Sequence, residues 1–196
     1  MFQPEVKLEF VRRYCPPKAG WKVFVDIDAS EEGRTGGERT TGEARRVQRK
    51  MQTDSNRVRR EFKKLGVTVG GKRAAWFDLH TLPRVEGDRD IVAFHQEKKV
   101  CLIAETEGSS IGQPEQKLYK AIGQLVVAAS AGELAGWSRA LVLVVHGEEI
   151  AEHLGRAKVL EKLGISALAL GKTRTGDEWL FGAALLTKVL SGKLRI

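Results

Sequence analysis

The sequence has few of the features that mark secreted or membrane proteins. It contains two cysteines, Cys15 and Cys101, which lie far apart and provide no disulfide framework. The start of the chain lacks the continuous apolar stretch of a signal peptide. The longest apolar run, at 121–131, contains Gln124 and is shorter than a membrane-spanning helix. We therefore expect a protein of the reducing cytoplasm that is neither secreted nor inserted in a membrane.

The overall composition is typical of one folded domain. Hydrophobic residues make up 42% of the 196 residues and charged residues 30%, which is an ordinary balance for a globular protein. A chain of this length can bury a sufficient core without disulfides or a structural metal. We predict a single compact domain at 34–196, preceded by an extension at 1–33 that contains a strand.

Positive charge is concentrated in one segment. The net charge is +8, and residues 34–64 contribute eleven Lys and Arg against four Asp and Glu. Such a segment suits a polyanionic partner, because each neutralised phosphate releases a counterion. A solvated helix with a basic face is the alternative interpretation. The residues predicted to contact nucleic acid are Arg45, Arg46, Arg49, Lys50, Arg57 and Arg60.

Hydrophobic periodicity predicts an α/β chain. From residue 43 the predicted order is helix, three strands, helix, strand, helix, strand. The predicted helices are 43–65, 113–131 and 148–163; the predicted strands are 21–27, 74–79, 90–95, 99–105, 140–145 and 165–170, with an edge segment at 179–181. A loop is predicted at 29–42. No element is predicted within 1–20, because Cys15-Pro16-Pro17 interrupts regular structure there.

Three carboxylates are predicted to converge at the end of a hairpin. If the turn is centred between Glu97 and Lys98, Asp90 lies directly opposite Glu105, and such partners have Cβ atoms ~5 Å apart. Glu107 follows two residues after Glu105 and points to the same face while the strand continues. A shift of one residue in the turn would destroy this arrangement, so the prediction depends on the register.

Three neighbouring carboxylates repel one another unless a positive charge lies between them. A hard divalent cation with oxygen ligands, Mg²⁺ or Mn²⁺, would provide that charge. Such an ion can activate a water molecule and neutralise charge on a transferring phosphate. The alternative interpretation is that Glu105 and Glu107 are exposed acids at the end of a strand.

The spacing of these acids resembles that of the PD-(D/E)XK nuclease superfamily. Asp90, fourteen further residues, and Glu105-x-Glu107 on a hydrophobic strand followed by a helix carry the resemblance, which covers about 43–170. It implies the restriction-endonuclease-like fold, a mixed central sheet flanked by helices. It also implies that Asp90 and Glu105 hold the metal, and that a main-chain carbonyl, of Thr106 or Glu107, adds a ligand.

The sequence departs from the family pattern at the lysine. Glu107 stands in its place, as in some members, whereas others have moved the lysine to the next helix, where Lys117 and then Lys120 are the candidates. By the same resemblance Glu61 and Gln124 are accessory candidates. Gln124 is alternatively a satisfied polar residue on the rim of its helix.

Three hypotheses follow from the sequence. The first is a metal-dependent endonuclease acting on DNA, with Asp90, Glu105, Glu107 and Lys117 as its catalytic residues. The second is a nucleic-acid-binding module of the same fold without catalysis, as the missing lysine suggests. The third is a protein-interaction or small-ligand domain that only mimics the pattern. A homodimer is left open, because many nucleases of this fold pair to cut both strands.

Overall fold

A computed structural model of the chain describes residues 1–27, 42–70, 82–83, 85, 87–108, 114–130, 134 and 136–191. Within these residues the protein has an α/β fold, with helices on both faces of a seven-stranded mixed sheet. The elements are α1 (Gln3–Tyr14), β1 (Trp21–Asp26), α2 (Gly42–Leu65), β2 (Thr68–Gly70), β3 (Ile91–His95), β4 (Val100–Glu107), α3 (Pro114–Ser130), β5 (Ser138–Val145), α4 (Glu148–Gly155), β6 (Ile165–Ala169), β7 (Glu178–Phe181) and α5 (Ala183–Leu190). Short 3₁₀ helices occupy Pro17–Ala19, Lys158–Leu163 and Arg174–Gly176.

The strands are ordered β2-β1-β3-β4-β5-β6-β7 across the sheet. The central strands β4, β5 and β6 are parallel, and β3 is antiparallel to both of its neighbours, β1 and β4. The parallel step from β4 to β5 passes through α3, because parallel neighbours need a crossover connection. The edge strands are β2, parallel to β1, and β7, antiparallel to β6.

The hairpin of β3 and β4 has the predicted register. Ile91 pairs with Ala104 and Val92 with Ile103. Continued by one residue, this ladder brings Asp90 opposite Glu105. The backbone of Asp90 is also tied to β1, because the Asp26 N–H donates to the Asp90 carbonyl at 2.9 Å.

The core consists of two layers separated by the sheet. Helices α1, α2 and α5 cover one face, and α3 and α4 cover the other. Side chains of β4 alternate between the layers: Leu102 and Ala104 face α1, whereas Cys101 and Ile103 face α3. Both sets are buried, which explains why this strand is apolar without alternation.

Most of the predicted elements are confirmed. The helix predicted at 43–65 is α2, which ends before Gly66, a residue with φ of 76° that suits glycine. The helix predicted at 148–163 is instead α4 followed by the 3₁₀ helix Lys158–Leu163. Gly155 is a poor helix former at the point where α4 ends. The predicted strand 74–79 and all but Gly42 of the predicted loop 29–42 lie outside the described residues.

The N-terminal residues belong to the same core. Helix α1, for which the sequence analysis has no counterpart, buries Val6, Phe10 and Val11 against the sheet, and β1 lies between β2 and β3. Elements within the predicted extension 1–33 thus pack directly on those of the predicted domain 34–196. Within the described part of the chain, no helix has the length and apolar character needed to cross a membrane.

Candidate functional site

Asp90 and Glu105, here called the acid pair, lie side by side where β3 begins and β4 approaches its end. The main-chain N–H and the hydroxyl of Thr106 each donate a hydrogen bond of 2.8 Å to Asp90 Oδ2. Thr106 therefore fixes the orientation of this carboxylate. The Asp90 side chain keeps 18% of its surface exposed, so the acid pair is reachable at this residue.

Glu105 is buried and poorly compensated. Arg89 Nη1 lies 3.8 Å from Glu105 Oε1, and that oxygen accepts no hydrogen bond from the described residues. Burial, and then the negative charge of Asp90, raise the pKa of Glu105 well above its usual value, although Arg89, Lys7 and a hydrogen bond from the Asp90 main chain act in the opposite direction. Glu105 therefore holds its proton more firmly than an ordinary glutamate unless a further cation arrives.

Lys7 of α1 is the cation that contacts Asp90. Its ammonium lies 2.9 Å from Asp90 Oδ1 and donates to the Asp26 carbonyl at 2.6 Å, while only 1% of its side chain is exposed. Sequence reasoning missed this residue. The available signal was its spacing of four residues from Val11, which places a lysine on the apolar face of a helix.

Gln3 is a second donor from α1 that sequence reasoning missed. Its Nε2 donates to the Thr106 carbonyl at 2.8 Å and to Asp90 Oδ2 at 3.2 Å. The helix start can lie this close to β4 because Gly108 has no side chain. A Cβ there would come within 2.7 Å of the Gln3 nitrogen and the Met1 carbonyl.

Glu107 lies two residues beyond Glu105 on the same face of β4 and is also buried. Its carbonyl accepts the His146 N–H at 2.9 Å, so the ladder with β5 extends past the acid pair. The structure therefore brings Asp90, Glu105 and Thr106 together and places Glu107 on the neighbouring stretch of the same strand.

The remaining predicted residues have other contacts. Lys117 lies on α3, partly buried, and forms no ion pair among the described residues. Gln124 donates to the Asp88 carbonyl at 3.1 Å and so holds the segment that leads into Asp90. Glu61 instead pairs with Arg12 and Lys64, and the hydrogen bond from Lys64 lowers its pKa.

The oxygen atoms at the acid pair are suitable ligands for a hard cation. No group of three His, Cys, Asp or Glu side chains arranged for metal binding occurs in the described ranges. The candidate ligands are the Asp90 carboxylate, the Thr106 carbonyl, which shares the donor Gln3 with it, and the carboxylate of Glu105, whose pKa responds to the charge of Asp90; all are oxygen ligands of the kind that Mg²⁺ and Mn²⁺ use. The buried Glu105 Oε1, which accepts no hydrogen bond from this part of the chain, is the atom such an ion would satisfy.

The six residues predicted to contact nucleic acid, here called the basic face, all lie on α2 with exposed side chains; they are Arg45, Arg46, Arg49, Lys50, Arg57 and Arg60. Helix α2 packs beside α1, with an ion pair between Arg57 and Glu5 and with the Lys50 ammonium 5.4 Å from the centre of the Phe2 ring. Because Gln3 follows Phe2 and reaches Asp90, the basic face adjoins the helix that contacts the acid pair.

The chain was compared with protein-family models, with curated proteins and with solved structures, and none of the three comparisons finds a match. They identify no family.

Proposed function

We propose that the protein is a metal-dependent nuclease that hydrolyses phosphodiester bonds of DNA. The observation that carries the proposal is the acid pair, in which a buried glutamate oxygen has no hydrogen bond in the described structure and the charge of a second carboxylate, opposite in the strand register, raises the pKa of that glutamate. Carboxylates that converge in this way without full compensation are typical of a cation site.

In this proposal Asp90, Glu105 and the Thr106 carbonyl hold Mg²⁺ or Mn²⁺. When bound, the ion supplies an activated water molecule and neutralises charge on the phosphate. The protein's own residues prepare the site: Thr106 orients Asp90, and the buried surroundings strengthen the interaction of Glu105 with any nearby cation. Glu107, on the same face, would orient the attacking water.

The order and direction of the strands support the resemblance seen in the sequence. Helix α1 precedes β1, and β1, β3 and β4 are neighbouring antiparallel strands of the sheet, with α2 and β2 lying between β1 and β3 in the chain. Helix α3 and the strand β5, parallel to β4, come next. With α2 and β2 left aside, this order is similar to the helix, three strands, helix and strand predicted from residue 43, and it supports the proposed fold.

The basic face supports DNA as the substrate. Its six Lys and Arg residues are exposed along one helix, as contacts to a phosphate backbone require. Helix α2 lies beside α1, so a duplex held by the basic face would pass near the start of α1, where Gln3 reaches Asp90.

The test is nicking of supercoiled plasmid with Mg²⁺, with Mn²⁺ or with EDTA. The wild type should nick only with metal, and Glu105→Gln should lower the rate by roughly 100-fold or more, as expected for loss of an essential charged group. Asp90→Asn should do the same, but it strands the buried Lys7 ammonium, so its melting temperature must be recorded. The matched control is Glu152→Gln, an exposed acid paired with Arg156 on α4, which should nick normally. Nicking by Glu105→Gln at the wild-type rate would contradict the proposal.

A nucleic-acid-binding module without catalysis is the second candidate. The observation in its favour is that Lys7 and Gln3 both donate to Asp90, so the protein itself compensates the charge of this carboxylate. This candidate predicts salt-sensitive DNA binding that is unaffected by EDTA, and no nicking under any metal condition. A gel-shift titration at ~0.15 M salt beside the plasmid assay separates the two candidates.

A further inference from the structure

We propose that Lys7 is the positioning lysine of the acid pair, supplied by α1 in place of the lysine that the motif lacks at position 107. The inference rests on the proposed nuclease function and assigns to that site a residue from outside the motif. It replaces Lys117, which forms no ion pair among the described residues, as the lysine of the site.

The position of the Lys7 ammonium is determined from two sides. Asp90 Oδ1 lies 2.9 Å away and the Asp26 carbonyl 2.6 Å away, and the side chain is 1% exposed. Its helix is itself held firmly, because Phe10 packs into the core and Arg13 forms an ion pair of 2.6 Å with Asp177. Lys7 is therefore a fixed charge on a rigid element, in contrast to a surface lysine on a flexible stem.

Burial of a lysine costs folding free energy, so the group that its ammonium contacts is informative. Transfer of an ammonium from water into a core destabilises the fold unless the charge is paired. Here the charge is directed at Asp90, the more accessible member of the acid pair. Gln3, one helical turn earlier, donates to the same carboxylate. Two donors spaced four residues apart on α1 thus hold the two oxygens of one carboxylate.

The consequence for the reaction is orientation of Asp90. Oδ1 is held by Lys7 and Oδ2 by Thr106, so both oxygens of the carboxylate are fixed. Loss of one constraint should lower the rate of the chemical step, because small displacements of reacting groups cost about 100-fold. Because Lys7 is buried, its loss should leave the affinity for DNA unchanged.

The experiment compares Lys7→Met, Lys7→Gln and Lys7→Arg with the wild type in the plasmid assay. The matched control is Arg12→Met, which removes one positive charge from the exposed side of the same helix. We expect the Met and Gln variants to have kcat lowered about 100-fold with KM for plasmid unchanged. Lys7→Arg should recover at least a tenth of the wild-type kcat, and Arg12→Met should be normal.

Calorimetric titration with Mn²⁺ separates positioning from a structural role. Removal of a positive charge beside Asp90 should leave Mn²⁺ affinity equal to or tighter than that of the wild type, so retained binding with lost turnover supports the inference. If Lys7→Met does not fold, a comparison of Lys7→Gln with Lys7→Arg still contrasts a neutral with a charged side chain at this position.

Equal kcat in the neutral and charged Lys7 variants would overturn the role of Lys7 alone, provided that Glu105→Gln is inactive. A wild type that does not nick would overturn the proposed function, and the inference with it.

Discussion

Asp90 and Glu105 are compensated in different ways although they are neighbours. Asp90 pairs with Lys7 at 2.9 Å and accepts two hydrogen bonds from Thr106, whereas Glu105 has Arg89 at 3.8 Å. The raised pKa of Glu105 follows from its burial and from the charge of Asp90. The ionised form of Glu105 therefore opposes folding.

This difference predicts that Glu105→Gln stabilises the fold in a pH-dependent way. The folded-state pKa of Glu105 lies above the unfolded value, so its neutral form contributes fully below the unfolded pKa, and that stability is lost as pH rises through the folded pKa. Glutamine does not ionise, so the unfolding free energy of the variant should be higher than that of the wild type at pH 8. At pH 4 it should match the wild type.

Urea denaturation at the two pH values measures this gain, with Glu152→Gln as the exposed control. A variant that is less stable than the wild type at pH 8 would show that Glu105 is ionised and well compensated in the folded protein. That outcome would remove the main argument for a cation at the acid pair.

At the scale of elements, the parts of the site that could be predicted are those set by local pairing. The acid pair follows from the hairpin register, because a short turn fixes which residues of β3 and β4 face each other. Lys7 and Gln3 could not be predicted in the same way. Their contacts with Asp90 depend on how α1 packs across the sheet, and helical periodicity does not specify which residues lie beneath a helix.

The basic face of α2 predicts a specific loss of DNA affinity. In the double variant Arg46→Gln/Arg49→Gln, two exposed cations are removed while the buried Val58 and Phe62 keep the helix packed. If both arginines contact phosphates, the slope of log K against log salt should decrease by about 1.8. Fluorescence anisotropy with a labelled duplex at several salt concentrations measures this slope.

The control for this prediction is Lys158→Gln/Lys162→Gln, which removes the same charge from exposed residues in the layer on the other side of the sheet. An equal reduction in both double variants would mean that DNA responds to net charge alone. The basic face would then be a solvated helix surface, as the alternative interpretation of the sequence holds.

At the scale of the whole molecule, the sheet separates two core layers, and each layer must unfold before a reagent can reach the side chains buried in it. Cys15 lies in the α1 layer and Cys101 in the α3 layer, both fully buried. Burial raises the pKa of both thiols well above the usual range, so neither is available as a thiolate in the folded protein.

The reactivity of the two thiols therefore reports whether the layers unfold together, and we expect that they do. In native buffer both thiols should be unreactive toward a disulfide reagent, and with urea both should react in parallel with the loss of helical circular dichroism. The single variants Cys15→Ser and Cys101→Ser show which thiol remains. Reaction of one thiol well before the other would show that its layer opens independently.

The strands β1 and β3 are adjacent and antiparallel, a pair that a hairpin of a few residues can join. The chain instead runs through residues 27–89 before it reaches Asp90 and β3, and α2 lies within this connection. The surface proposed to grip the substrate and the acids proposed to cut it are thus encoded in separable stretches. A different helix could replace α2 in this connection if it keeps the buried residues Val58 and Phe62. The DNA preference of the protein could then be changed without altering the acid pair.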